Sequence, residues 1–300
     1  MGNERFVIAL GMFDGVHLGH QALLNRTVEM ARKEGCVPAV YTFSNHPLEL
    51  FSKEIVCLTD VETRVNLFKS LGIERVDLQE FTHTLAALEP DAFLAMLNGR
   101  YRIERLVAGF NYSFGRGGSG SAELLLKVSQ DYGFKVDIVA PVIREGGIVS
   151  SSRIRGLIGE GEVETAAKLL GRPYLMAGTV VHNRRIGSRL GFPTANIEAG
   201  KLAVPADGVY AVRAFVNGRA YEAVTNVGTN PTFEGGRRTI ETHLIGFDED
   251  LYGKALKISF ISSLRGEKTF SSADSLRLQI KSDIERAREI LQSNPDVFEP

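Results

Sequence analysis

Residues 6–20 read Phe6-Val7-Ile8-Ala9-Leu10-Gly11-Met12-Phe13-Asp14-Gly15-Val16-His17-Leu18-Gly19-His20. Five unbroken apolar residues stopped by a glycine predict a strand buried on both faces. From Leu18 the period becomes helical: Leu24, Val28 and Ala31 share a face and Gly35 ends it, predicting a helix over 18–34. Ala39 to Phe43 is the next strand, with Pro38 at its start, where little pairing is lost. Strand, helix and strand in about forty residues make a βαβ unit, which requires a parallel sheet with covered faces. Ile73–Leu78, Arg105–Ala108 and Lys135–Val139 supply further strands, so this half reads as an open α/β domain.

The second half follows another grammar. Val163, Ala166, Ala167 and Leu170 form a short helical stripe that Gly171 and Pro173 terminate. Beyond Tyr174, Tyr210–Val216 and Arg219–Val224 flank Asn217-Gly218, a strong hairpin signal. Thr239–Ile245 and Ala255–Ile261 are further strands. An amphipathic helix capped near Ser271 or Ser272 carries Leu276, Ile280, Ile284, Ala287 and Leu291 on one face. The expectation is an α/β domain over 1–157, a helical linker over 158–172, and an all-β barrel or sandwich with a final helix over 173–300.

Composition narrows the function classes. The 300 residues are 44% hydrophobic and 24% charged, with a net charge of -1. That balance argues against a nucleic-acid-binding protein. No apolar run nears the roughly 18 residues that span a bilayer, so no membrane partner is expected. Phe6–Leu10 is too short for a signal peptide, and Phe6 stands where a myristoylation motif needs Ser or Thr. Cys36 and Cys57 lack metal-ligand spacing and are expected to be reduced thiols. A cytoplasmic protein is expected; the sequence leaves its oligomeric state open.

His17 and His20 open the first helix beyond the carboxyl end of the first strand, where open α/β sheets bind ligands. A helix N-terminus attracts phosphate, and Gly11, Gly15 and Gly19 permit close backbone approach. Two imidazoles on one side of the first turn can hold a triphosphate and stabilise charge built up by attack at its α-phosphorus. On spacing alone they are equally a surface pair or half of a zinc site.

His17-Leu18-Gly19-His20 resembles the HxGH motif of the nucleotidylyltransferase superfamily. The longer string from Gly11 to Gln21 resembles the bacterial bifunctional riboflavin kinase/FAD synthetase family. That resemblance implies a Rossmann-like α/β domain in which Gly11, Phe13, Asp14 and Gly15 line the nucleotide site and His17 and His20 are catalytic. Val149-Ser150-Ser151-Ser152-Arg153-Ile154-Arg155 resembles the ISSTxxR motif, implying that Ser151, Ser152 and Arg155 hold ATP phosphates. Gly109 to Gly115 is similar to the family's flavin and nucleotide loop, with Asn111 as its polar contact. Thr42 to Pro47 resembles a TFxPHP string, but Asn45 stands where proline is usual, and a site role for His46 is left open.

Gly191-Phe192-Pro193-Thr194-Ala195-Asn196 on bare spacing is a turn after a strand. It resembles the riboflavin kinase PTAN motif, implying that Thr194 and Asn196 bind Mg²⁺ and ATP, with Gly187 and Arg189 on the phosphate side. In Thr239-Ile240-Glu241-Thr242-His243, alternate residues share a face, placing Glu241 with His243. A carboxylate held toward the barrel mouth can accept the proton of an attacking hydroxyl, and the resemblance makes Glu241 that general base; His243, on the same face, has the weaker claim and is expected to hydrogen-bond locally. Asn183, Ile186 and Ser188 depart from the family's pattern in the ATP loop. The implied C-terminal fold is a Greek-key β-barrel. The implied chemistry is ATP-dependent phosphorylation of riboflavin to FMN, then transfer of AMP to FMN to give FAD. Two rivals are a different HxGH adenylyltransferase and a flavin-binding regulator without catalysis.

Overall fold

The structure, a computed structural model, describes residues 4–51, 55–182, 191–229 and 238–294. It divides into two compact units, with the boundary between Ser151 and Ser152. The first carries, in chain order, β1 (Phe6–Leu10), α1 (Leu18–Glu34), β2 (Val37–Phe43), α2 (Val61–Ser70), β3 (Arg75–Gln79), α3 (His83–Ala86), α4 (Pro90–Arg100) and β4 (Ile103–Gly109). It continues with β5 (Ser113–Phe114), β6 (Gly120–Ser121), α5 (Ala122–Tyr132), β7 (Lys135–Val139), β8 (Ile143–Arg144) and β9 (Gly147–Ile148). Its main sheet is parallel, in the order β3-β2-β1-β4-β7. The order reverses at β1: the chain leaves it for β2 on one side and later returns to β4 on the other. That reversal opens a crevice at the carboxyl end of β1.

All five residues of β1 are buried, as the unbroken apolar run requires. Phe6, Ile8 and Leu10 pack with Leu94 and Leu97 of α4 and Leu125 of α5, while Val7 and Ala9 turn to the opposite face. Strand β2 begins at Val37, two residues earlier than the sequence suggests, because Val37 N donates to Arg5 O and Pro38 still accepts from Glu74 N at 3.1 Å. Helix α1 stops as expected at Gly35, whose φ of 62° is left-handed. Helix α2 escaped the periodicity because two of its four buried residues are polar, Thr63 and Arg64.

The second unit holds α6 (Ser151–Gly159, from its second residue), α7 (Val163–Leu170), β10 (Tyr174–Val181), β11 (Ala195–Glu198), β12 (Gly208–Val216), β13 (Arg219–Thr229), β14 (Arg238–Leu244), β15 (Ala255–Gly266) and α8 (Ala273–Ser293). The six strands close into a barrel, β10-β11-β14-β13-β12-β15. Strand β15 returns beside β12, giving the Greek-key order β14-β13-β12-β15. Pairing of β10 with both β11 and β15 closes the ring, so the open choice between sandwich and barrel resolves to a barrel. Asn217 and Gly218 both have positive φ, as a type I′ turn demands.

Helix α8 packs on the outer wall through Ala287 and Leu291, against Val209, Ala211, Val224 and Leu264. Its C-terminus is capped by buried Arg213, whose Nη2 donates to Leu291 O at 2.7 Å and Asn294 O at 2.6 Å. A cation there meets the negative end of the helix dipole.

At the amino end of the parallel sheet, ion pairs run without a break. Arg26 contacts Asp137, Asp137 contacts Arg105, Arg105 contacts Glu34 at 2.6 Å, and Lys135 bridges Glu34 and Glu104. Arg105 holds the Glu34 carboxyl below its ordinary range, and Lys135 does the same for Glu104. Because both values are lowered on folding, the stabilisation is complete above the ordinary carboxylate range and is lost as pH falls through the lowered ones. Arg105→Ala is expected to cost about 2 kcal/mol at pH 7, between an exposed and a fully buried pair. Thermal unfolding should show the gap from the parent closing as the pH is brought below the lowered carboxylate values, where the pairs are lost in both proteins.

Candidate functional site

The chain leaves β1 at Leu10 and enters α1 at Leu18 through a turn of left-handed residues: Phe13 at φ 57°, Gly15 at 82° and Val16 at 40°. Asp14, 3% exposed, accepts at Oδ1 from Leu58 N at 2.8 Å and Thr59 N at 3.2 Å. Gly15 N donates to Thr59 Oγ1 at 3.1 Å, and Gln21 Nε2 closes the turn on Val16 O at 2.9 Å. The Asp14 carboxylate, expected to line the nucleotide site, thus fastens the turn to residues 58–59.

His17 is the N-cap of α1; its Nδ1 accepts from His20 N at 3.3 Å. A ring nitrogen that accepts leaves the proton of the neutral imidazole on Nε2. The two imidazoles stack, 3.7 Å between centroids and 15° apart, and Phe13 meets His20 edge-on at 5.3 Å. Gly19 makes the stack fit: a Cβ there would stand 3.1 Å from His17 Cε1. At Gly11 a Cβ would press on the Phe13 ring at 3.1 Å.

Ser151 is brought to this turn, its Oγ donating to Asp14 O at 2.9 Å. Ser152 and Arg155 lie on α6 in the second unit, joined by a 3.3 Å bond from Arg155 Nη2 to Ser152 Oγ. Asn111 is exposed just past β4, at the same end of the sheet as His17. Asn45 pairs with the backbone of Phe81, donating to its O at 3.0 Å and accepting from its N at 2.7 Å. His46 caps the short turn at 47–50 by accepting from Leu48 N. Sequence reasoning overlooked Thr59 and buried Arg64, whose Nη1 donates to Met12 O at 3.1 Å; no motif marks either.

In the second unit the barrel alternation decides which residues reach a ligand. Ile240, Thr242 and Leu244 of β14 are buried inside, where the Thr242 and Thr225 hydroxyls bond at 2.8 Å. Glu241 and His243 therefore face outward on the wall, rather than toward the mouth of the barrel. Asn196 and Asn226 are the cross-strand partners of Glu241. Glu241, Asn226 and His243 form one side of a cleft of ≈ 330 Å³, and Leu276, Ile280 and Ile284 of α8 form the other. Glu267 and Lys268 also line it and went unassigned in the sequence. Burial raises the Glu241 carboxyl above its ordinary range. His243 makes the expected local bond, Nδ1 to Pro193 O at 2.8 Å, with Phe192 edge-on to its ring.

Thr194 borders this cleft and also a second cavity of ≈ 410 Å³ lined by Phe247, Asp248 and Tyr252. A half-buried carboxylate in an apolar-walled cleft, beside a hydroxyl shared with a second cavity, suits deprotonation of a bound alcohol. Gly187 and Arg189, and the departures Asn183, Ile186 and Ser188, lie outside the described residues.

The stacked histidines give a direct test of the first site. Gly19→Ala would ordinarily add up to ~1 kcal/mol of helix propensity. Here the unfolding midpoint is expected not to rise, and the His17 imidazole ¹⁵N signals are expected to move.

Comparison with known proteins covers both units. The FAD synthetase family model matches residues 1–153, and the riboflavin kinase model matches residues 170–291. Bifunctional riboflavin kinase/FMN adenylyltransferase of Listeria monocytogenes is 37% identical over 287 residues, 94% of this chain and 91% of its own length. The Escherichia coli K12 protein of the same name is 35% identical over 290 residues, 95% and 93% of the two chains. A crystal structure described as a macrolide-efflux protein from Streptococcus pneumoniae superposes with TM-score 0.87 at 34% identity, covering 96% of this chain and 95% of its own. Among the described residues no helix is long and apolar enough to cross a membrane. With two family models tiling it in order and relatives matched nearly end to end, the chain belongs to the bifunctional riboflavin kinase/FMN adenylyltransferase family.

Proposed function

We propose that this chain makes both flavin coenzymes at two separate sites, in the cytoplasm. Residues 173–300 transfer the γ-phosphoryl group of ATP to the 5′-hydroxyl of riboflavin, giving FMN and ADP. Residues 1–157, joined to them through the helical segment 158–172, transfer AMP from a second ATP to the FMN phosphate, giving FAD and pyrophosphate. One observation carries the reading: a stacked histidine pair at the carboxyl end of β1 coexists, in the other unit, with a half-buried carboxylate that pairs across strands with Asn196 and shares a cleft with Thr194.

In the kinase half Glu241 accepts the proton of the attacking hydroxyl, a role typically worth roughly 10² to 10⁴ in rate. Its raised proton affinity suits that task, and the apolar wall of α8 suits a flavin ring. Thr194 and Asn196 offer hard oxygen donors and would hold Mg²⁺; when bound, the ion would offset charge on the transferring phosphates. Gly187 and Arg189 are assigned to the ATP phosphates by resemblance alone. The cavity beside Tyr252 then takes the nucleotide, leaving Thr194 between donor and acceptor.

In the adenylyl half the turn's backbone and the α1 N-terminus attract the triphosphate. The proton on His17 Nε2, directed there by the Nδ1 bond, is placed to donate to an oxygen of the α-phosphate. His20, stacked on it, stabilises the same charge. Gly11, Phe13 and Gly15 shape the floor, and Asp14 and Ser151 hold it; the resemblance assigns Ser152 and Arg155 to the ATP phosphates and Asn111 to the flavin loop.

The two activities should separate. His20→Ala is expected to lose at least about 10²-fold in FAD formation and keep FMN formation, while Glu241→Gln does the reverse when FMN is supplied. Chromatography of flavins from riboflavin, FMN and ATP reads both, and a folded variant that loses both reactions sinks the two-site reading. EDTA should stop both reactions and Mg²⁺ restore them. Because burial raises the Glu241 carboxyl, the acid limb of kinase kcat/KM should lie above the ordinary carboxylate range. An acid limb unchanged in the residual activity of Glu241→Gln would remove the residue from its role.

A further inference from the structure

The last ladder bond between β1 and β2 runs from Gly11 N to Tyr41 O. Beyond it the strands part to open the crevice, and their next carbonyls need new donors. Thr42 Oγ1 donates to Met12 O at 3.2 Å, and Arg64 answers both strands, Nη1 to Met12 O at 3.1 Å and Nη2 to Phe43 O. Arg64 is 2% exposed. One turn further along α2, Phe68 packs edge-on against Phe13 at 5.5 Å, and Phe13 packs edge-on against His20. A short path of contacts therefore links α2 to the imidazole stack, and Arg64 fixes the backbone from which that path starts.

We infer that Arg64 is a positioning residue for AMP transfer: its planar fork holds the diverging ends of β1 and β2, and through Met12 and Phe13 sets where His20 and His17 stand. This rests on reading the two histidines as the adenylyl-transfer pair. A fork is the one side chain that spans two carbonyls on separate strands with a single rigid group; lysine offers a point donor. Burying a guanidinium whose hydrogen-bond partners are neutral carbonyls is costly even with the Asp14 and Asp60 carboxylates nearby, and filling the space alone would need only an apolar side chain.

The test uses the full chain with Arg64→Met and Arg64→Lys, and the kinase reaction reports on the other unit. Arg64→Met is expected to leave FMN formation unchanged and lower kcat for AMP transfer at least about tenfold, with KM for FMN little altered. In imidazole ¹⁵N spectra His17 Nδ1 should lose its acceptor signature, a change that simple loss of stability does not produce in the folded fraction. Arg64→Lys should fall between parent and Arg64→Met in both readouts. Parent-like rate and spectra in Arg64→Met overturn the inference, as does a lower rate with unmoved imidazole signals. If Arg64→Met does not fold, parent-like behaviour of Arg64→Lys overturns it. An inactive His20→Ala beside a parent-like Arg64→Met removes only the role of Arg64, whereas a fully active His20→Ala removes the histidine reading itself.

Discussion

The constraint on which the first unit depends is the handover from β1 to α1. Seven residues turn a buried strand into a helix whose first turn opens on the crevice, and the backbone is forced left-handed at Phe13 and Val16. For a β-branched residue such as Val16 that conformation costs on the order of 1–3 kcal/mol. It persists because the turn is over-determined: Asp14, Gly15 and Met12 are all bonded to residues 58–64, and Gln21 closes the far side. The same bonds that offset the strain fix the direction of the helix N-terminus, so stability and placement of the imidazoles come from one set of contacts.

The second unit meets a similar demand by packing. Its cleft exists because α8 stands off the barrel wall at Glu241 and meets it further along, where Ala287 and Leu291 reach Val209 and Ala211. Arg265 grips buried Asp283 through Nε and Nη2, and Gln279 adds a bond to the same carboxylate. Arg213 closes the far end. The cleft is thus a gap of set width between two elements tied at its edge and beyond it, and its apolar side needs no strained backbone.

Most of the architecture was legible because it rests on local periodicity. The unbroken run Phe6–Leu10, the Gly35 stop, the Asn217-Gly218 turn and the stripe from Leu276 to Leu291 each point to one structure. The missed elements have physical causes. Thr63 and Arg64 interrupt the apolar period of α2 since they are buried for their hydrogen bonds rather than their hydrophobicity. The short strand β11 lacks the length for alternation to register. In the sites, His17, His20, Thr194, Asn196 and Glu241 were visible as motif members. The bond that directs the Asp14 carboxylate and the outward aim of Glu241 were not, because both depend on pairings between segments tens of residues apart.

Thr194 belongs to two cavities at once and forms part of the partition between them. In the proposed reading an alcohol on one side and a polyphosphate on the other meet at its rim. Such a molecule measures its acceptors as a ruler does: a hydroxyl carried on too short a tether stops behind the partition, and one on too long a tether overshoots its rim. Discrimination among ring compounds of like shape would then arise from chain length before any contact with the ring is counted.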